Sequence, residues 1–227
     1  MNSVLLLFFL SFFPNQVDIF HLSLPLQSSA LIQSFHNDNF SQVVRTGGHN
    51  LICRIETRDF HSLTRPHRII PDYDFIDGLP PKMKELAVQL LAGSANLSEY
   101  IDSCSDYLKK NIRYLENSSS DDPETIINSG IANCIGYCSL FNHFLSAGGI
   151  RSRIRRGFFL STEKDDRIRL IPHRWLEIIL VSGERIFFDP QYQGFNSCYI
   201  KTEDNIEFTK IKVFEGRLMK RNQRLSD

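Results

Sequence analysis

The sequence has no net charge, with 26 Lys and Arg against 26 Asp and Glu. No global field therefore draws it to nucleic acid or to anionic lipid, and no nucleic-acid partner is expected. It also lacks a disulfide framework. Its five cysteines, Cys53, Cys104, Cys134, Cys138 and Cys198, are odd in number and irregular in spacing. That pattern is compatible with a reducing compartment and with export alongside unpaired thiols. The apolar run at the N-terminus, Val4 to Phe13, covers about ten residues, whereas a bilayer span needs about 18. No stable membrane span is expected. Nor is there an internal repeat, or a low-complexity tract beyond "NSSSDD".

The Val4 to Phe13 run has the length of a signal-peptide core and stops at Pro14. No Lys or Arg precedes it, and the small residues Ser28, Ser29 and Ala30 lie far downstream for a cleavage site. An export signal and an apolar segment packed on the domain are both open, as are an exported and a cytoplasmic location.

What is present is an ordinary globular mixture, 42% hydrophobic and 23% charged over 227 residues. One large domain, or one domain with an extension, is expected. The chain divides into 1–27 (signal or apolar segment), 28–78 (an extension packing on the core), 79–215 (the main domain) and 216–227 (a basic tail in solvent). Within the extension, "NLICRIETRDF" reads as a short strand.

From Leu79 the periodicity sharpens. Pro80 and Pro81 suit a first helical turn, Met83, Leu86, Ala87, Leu90 and Leu91 share a face, and Gly93 stops the helix. Leu97, Ile101, Cys104, Leu108 and Ile112 form the stripe of a second helix over about Leu97 to Leu115, with Cys104 a small core residue. Asp122 and Pro123 read as the N-cap and first residue of a short helix ending at Gly130. A further helix carries Cys134, Leu140, Phe141, Phe144 and Leu145 and ends at Gly148-Gly149, where a glycine can take the left-handed conformation. Strands follow in "IRSRIRRGFFL", "IPHRWLEIIL", "ERIFFDP", "CYIKT" and "IEFTKIKVF". Helices first and strands afterwards predict an α+β fold, with helices packed on an antiparallel sheet.

Cys134 stands where a helix begins. Unpaired N–H groups and the helix dipole there favour a thiolate, and the same groups could hold an oxyanion. A thiolate nucleophile needs a base, and the base needs an orienting group. His173 and Asp189 lie on the two strands of the hairpin around Ser182-Gly183. A two-residue turn would put them on opposite faces. A three-residue loop, Val181-Ser182-Gly183, pairs Leu180 with Glu184 and gives the third position to glycine. His173, Trp175 and Glu177 then share a face with Arg185, Phe187 and Asp189, with His173 diagonal to Asp189. Leu176, Ile178, Leu180, Ile186 and Phe188 form the opposite, apolar face. The longer loop is predicted.

"NCIGYCSLFNHFLSAGGIRSRI", "HRWLEIIL" and "FFDPQ", in that order, resemble the core of the transglutaminase-like superfamily over about Leu79 to Gln191. The upstream "YLKKNIRYLE" is similar to the helix before the nucleophile in microbial members. The resemblance implies a papain-like fold with a Cys134 nucleophile, a His173 base and an Asp189 orienting group. It also implies attack on an amide of a peptide or protein substrate through a thioester, released by water or by an amine acceptor, with no cofactor and no metal. Departures are Ala132 and Asn133 where the family often has glycine, and Cys138 where it has a smaller residue. Asn133, Trp175 and Tyr114 are candidates for lining the substrate cleft. The extra domains of animal transglutaminases are absent, so a calcium-regulated crosslinker is not expected.

Other readings stand beside these. Cys138 reads as core packing, with a resolving thiol or a disulfide to Cys134 as the alternative. Cys134, Cys138 and His143 could hold a metal only at untypical zinc spacing. Trp175 could simply pack, and Glu177 could pair with Arg185. Arg151, Arg153, Arg155 and Arg156 read as a solvated strand face or as recognition of an acidic substrate. A non-catalytic binding or scaffolding module is the alternative to an enzyme.

Overall fold

The alternation of "NLICRIET" buries every second side chain of a strand, and that strand sits inside a sheet of five. The computed structural model describes residues 16–23, 31–47, 50–58, 60–118, 120–162, 167–196, 198–202 and 215–222. The chain begins with β1 (Gln16–Ser23), β2 (Phe35–His36), β3 (Phe40–Gly47) and β4 (Asn50–Thr57). Next come α1 (Phe60–Thr64), α2 (Tyr73–Asp77), α3 (Pro81–Ala92), α4 (Leu97–Asn111), β5 (Arg113–Tyr114), α5 (Pro123–Ser129), β6 (Ile131–Ala132) and α6 (Cys134–Ala147). It closes with β7 (Arg151–Thr162), β8 (Ile168–Ile179), β9 (Arg185–Phe188), β10 (Tyr199–Lys201) and β11 (Glu215–Asn222). The expected α+β class, with helices against an antiparallel sheet, is the architecture observed.

The sheets run β11-β1-β4-β3-β2 and β10-β7-β8-β9, and β5 and β6 form a short parallel pair. The helices cover one face of the four-stranded sheet, where Leu176, Ile178, Leu180, Ile186 and Phe188 pack with Tyr100, Leu108, Phe141 and Phe144. Its other face is covered too. Trp175, Phe187, Tyr199 and Ile200 pack there against Phe20, Leu22, Phe40, Leu51 and Ile55 of the five-stranded sheet. The row carrying Trp175 and Phe187, expected to be the chemical face, is therefore mostly a second core. Gly157 in β7 lets β10 approach, because a Cβ there would collide with the Ile200 carbonyl and with Trp175.

Both edges of the four-stranded sheet are closed by side-chain amides standing in for peptide groups. Asn39 donates to the Phe187 carbonyl at 2.8 Å and accepts from its N–H at 2.7 Å. Gln42 does the same for Lys201, at 2.9 Å in each direction. An unpaired edge invites another chain, and these amides occupy it.

After α6 a glycine takes the left-handed conformation as expected: Gly149, at φ 69°, while Gly148 stays at −78°. Two expectations change. The helix from Leu97 stops at Asn111, because Ile112 turns extended and the chain enters β5. The basic segment expected in solvent forms β11 over Glu215–Asn222, where its backbone pairs antiparallel with β1. The apolar run Val4 to Phe13 and the segment "IEFTKIKVF" lie outside the described residues. Among the described residues, no helix is long and apolar enough to cross a membrane.

Candidate active site

The first turn of α6 is held by Asn133. Its Oδ1 accepts from the N–H groups of Ile135 (2.9 Å) and Gly136 (3.1 Å), and its Nδ2 donates to the Ser118 carbonyl at 2.5 Å. Gly136 permits close seating, since a Cβ there would come within 2.9 Å of the Ala132 Cβ. Two of the N–H groups expected to face an anion are thus capped by a side chain. Asn133, expected in the cleft, is the helix N-cap instead. The N–H of Cys134 itself has no partner among the described residues. The Cys134 thiol is half-buried.

The hairpin register puts the base within reach of its orienting group. Leu176 pairs with Phe188, Ile178 with Ile186, and Leu180 with Glu184, around a loop whose Gly183 has φ 93°. This is the longer loop predicted above. Asp189 lies one residue beyond the ladder, bridged to Gly194. His173 Nε2 meets Asp189 Oδ2 at 2.5 Å, with the residues 3% and 0% exposed.

Asp189 has more partners than the sequence suggested. Its Oδ2 also accepts from the Tyr199 hydroxyl at 2.7 Å, and its Oδ1 from the Gln191 N–H at 2.9 Å. These donors stabilise a carboxylate that is wholly out of water. With Nε2 turned to Asp189, Nδ1 is the ring nitrogen left for Cys134, whose charge acts on the imidazole. Burial pushes the imidazole pKa down. The hydrogen bond to Asp189 and the influence of Asp189 and Cys134 outweigh it and raise the pKa to about 9.

Two tyrosines flank these groups. Tyr192 stacks on Phe159 (4.8 Å between ring centres, 15° between planes) and lies 5.7 Å from the His173 ring. Tyr114 is partly exposed; burial, then the charges of Cys134, Glu116, Tyr192 and Asp189, push its pKa up to about 12. It keeps its proton at neutral pH, and the charges of Cys134 and Asp189 reach it.

The remaining candidates fall elsewhere. Trp175 is fully buried among Phe187, Phe195 and Tyr199, so it packs between the sheets and lines no cleft. Glu177 pairs with Arg155 at 2.5 Å and not with Arg185, because its central strand also offers it the diagonal neighbour on β7. Arg185 instead uses its backbone N–H to bond Asp38. Cys138 is buried at the helix–sheet contact, where burial raises its pKa well above that of a free thiol. All five cysteines are unbridged. Cys134, Cys138 and His143 form no metal-holding cluster, nor does any other group among the described residues. His143 instead contacts the Ser139 carbonyl along its own helix.

Tyr199, Tyr192 and Gln191 were not singled out from the sequence. The only trace of Tyr199 there is the strand "CYIKT", which says nothing of its reach to Asp189.

The sequence and the fold both have counterparts among known proteins. The family model described as the Transglutaminase-like superfamily matches residues 84–192. No curated protein matches the sequence. Among solved structures, a candidate cysteine protease from Cytophaga hutchinsonii shares the fold. Its TM-score is 0.53 at 12% identity, over 92% of this chain and 89% of that one. The periplasmic domain of TgpA from Pseudomonas aeruginosa aligns with a TM-score of 0.45 at 12% identity, over 80% of this chain and 91% of that one. Residues 84–192, which contain Cys134, His173 and Asp189, carry a domain that matches the transglutaminase-like superfamily.

Proposed function

We propose that the protein is a cysteine-dependent acyl-transfer enzyme acting on amide bonds of peptides or proteins. The observation that carries this reading is the buried His173–Asp189 hydrogen bond of 2.5 Å, on an imidazole that also feels the charge of Cys134. A histidine held between a carboxylate and a thiol is arranged to keep a thiolate–imidazolium pair.

In the first half-reaction the Cys134 sulfur bonds to the carbonyl carbon of the substrate amide, and the oxyanion forms. The Cys134 N–H is one donor for it, and the Tyr114 hydroxyl is the second. The C–N bond then breaks, the leaving amine takes a proton from His173, and a thioester remains. In the second half, water or an amine gives a proton to His173 and attacks the thioester carbon. The C–S bond breaks, releasing acid or a new amide. Asp189 fixes the imidazole tautomer and stabilises its cation throughout. A glutamine side chain and a main-chain amide both suit this chemistry.

The test is alkylation by iodoacetamide, with labelled positions read by mass spectrometry. Cys134 is expected to label stoichiometrically and fast, and to lose that rate in His173→Ala. Cys198, a second half-buried cysteine, is the internal comparison. Equal rates at Cys134 and Cys198, unchanged by His173→Ala, would refute an activated thiol.

A further inference from the structure

Arg156 and Arg174 face each other directly across β7 and β8. Directly opposed side chains lie about 5 Å apart at Cβ, and like charges in that position destabilise a sheet. Both residues are half-buried. Neither guanidinium meets a carboxylate at ion-pair distance among the described residues. The contrast with Arg155 is informative, since that neighbour is paired to buried Glu177. Among the described residues, Glu177 supplies an anion for Arg155, and no carboxylate does so at ion-pair distance for the adjacent Arg156.

The position matters as much as the charge. Arg174 follows His173 in sequence and continues the row of Leu176 and Ile178, which packs against α6 with Phe141 and Cys138. This row leads toward the first turn of α6, where Cys134 stands. Electrostatics agree with that placement. Burial and then the Arg156 charge lower the Arg174 pKa, while Cys134, Cys138 and Asp121 act in the opposite direction. Two guanidiniums side by side present parallel N–H donors that fit a carboxylate.

We propose that Arg156 and Arg174 form an anion subsite beside Cys134 that selects substrates carrying a carboxylate close to the attacked amide. This rests on the acyl-transfer reading and adds its substrate class, an acidic peptide. The carboxylate comes either from an Asp or Glu side chain or from a free C-terminus.

The first experiment compares alkylation of Cys134 by iodoacetate and by iodoacetamide, in wild type and in the double variant Arg156→Gln, Arg174→Gln. His173 also attracts the anionic reagent, so the readout is the change in rate ratio between proteins. A fall of about 10-fold or more is expected, the range for losing hydrogen bonds to a charged group. Arg151→Gln, opposite Ile179 at the far end of the same ladder, controls for general loss of positive charge and should leave the ratio in place. An unchanged ratio in the double variant overturns the subsite.

The second experiment measures equilibrium binding to Cys134→Ala protein, where no chemistry occurs. The probes are three acetylated octapeptides with a central Gln: one flanked by Glu and amidated, one neutral and amidated, one neutral with a free C-terminus. One acid-bearing peptide should bind at least about 10-fold tighter than the neutral one, and which one does so identifies the source of the carboxylate. The preference should disappear in the double arginine variant. Equal affinities, or a preference that survives that variant, overturn the proposal. Should Cys134 resist both alkylating reagents, the nucleophile reading fails, and binding alone decides the subsite.

Discussion

Raising the pH should weaken the fold through His173 over a defined window. In the unfolded chain an imidazole titrates near 6.5, and in the native site its pKa is raised to about 9. Between those values the native protein holds a proton that the unfolded chain has released. The stabilisation is complete below about pH 6.5 and is lost as pH rises through about 9. Its slope is about 1.4 kcal/mol per pH unit, so the window removes about 3 kcal/mol. The assay is urea unfolding at half-unit steps from pH 6 to 9.5, followed by fluorescence of Trp175, the one tryptophan and fully buried. Other groups contribute near the top of the range. The thiols of Cys53, Cys104 and Cys138 are raised by burial and add their own loss in alkali. The quantity to read is therefore the difference between wild type and His173→Gln, in which these thiols cancel. That difference should shrink by about 3 kcal/mol across the window. In Asp189→Asn the anionic partner is gone and burial dominates, so the downward slope should vanish there too. Parallel curves for wild type and His173→Gln would refute a native imidazolium paired with Asp189.

Tyr199→Phe keeps the ring packing and removes the hydroxyl that donates to Asp189; a loss of about 1.5–3 kcal/mol in the same urea assay is expected, with a displaced pH profile of Cys134 alkylation. Gly157→Ala drives a methyl into the Ile200 carbonyl and the Trp175 ring, so thermal melting should show at least about 1–3 kcal/mol of destabilisation. Asn133→Ala removes the cap from Ile135 and Gly136 and should cost about 1 kcal/mol. Asn133→Asp should keep most of that stability, which urea melts of the two variants would show side by side.

Local signals carried much of the fold. The caps at Asp122 and Gly130 and the loop ending at Gly183 are legible because each depends on one or two residues with restricted backbone or side-chain chemistry. That loop in turn fixed the register and so the pairing of His173 with Asp189. What stayed hidden depends on distance or on context. Asp18 sits at an inward position of β1 ahead of Phe20 and Leu22, so the alternation of that strand is masked. The charged residues of β11 read as a tail, yet an edge strand tolerates charge. The hydroxyl of Tyr199 reaches Asp189 from another strand, and no spacing rule announces it. Trp175 and Phe187 alternated correctly, but a sequence does not say that a second sheet will cover their face. The double cap at Asn133 displaced the expected anion donors for a similar reason. An asparagine before a helix is a clear start signal, yet its preference for its own helix leaves it unavailable to a ligand.

The pairing of β1 with β11 joins Val17 to Asn222, and this orders events during synthesis. A ribosome adding about 5–20 residues per second makes the two strands roughly 10–40 s apart. Through that interval β4 guards one flank of the first strand while the other flank has no neighbour. The helices and the His173 hairpin precede β11 in the chain and so emerge earlier. The half that carries Cys134, His173 and Asp189 is thus able to mature on the emerging polypeptide, while the other sheet waits for its final ribbon.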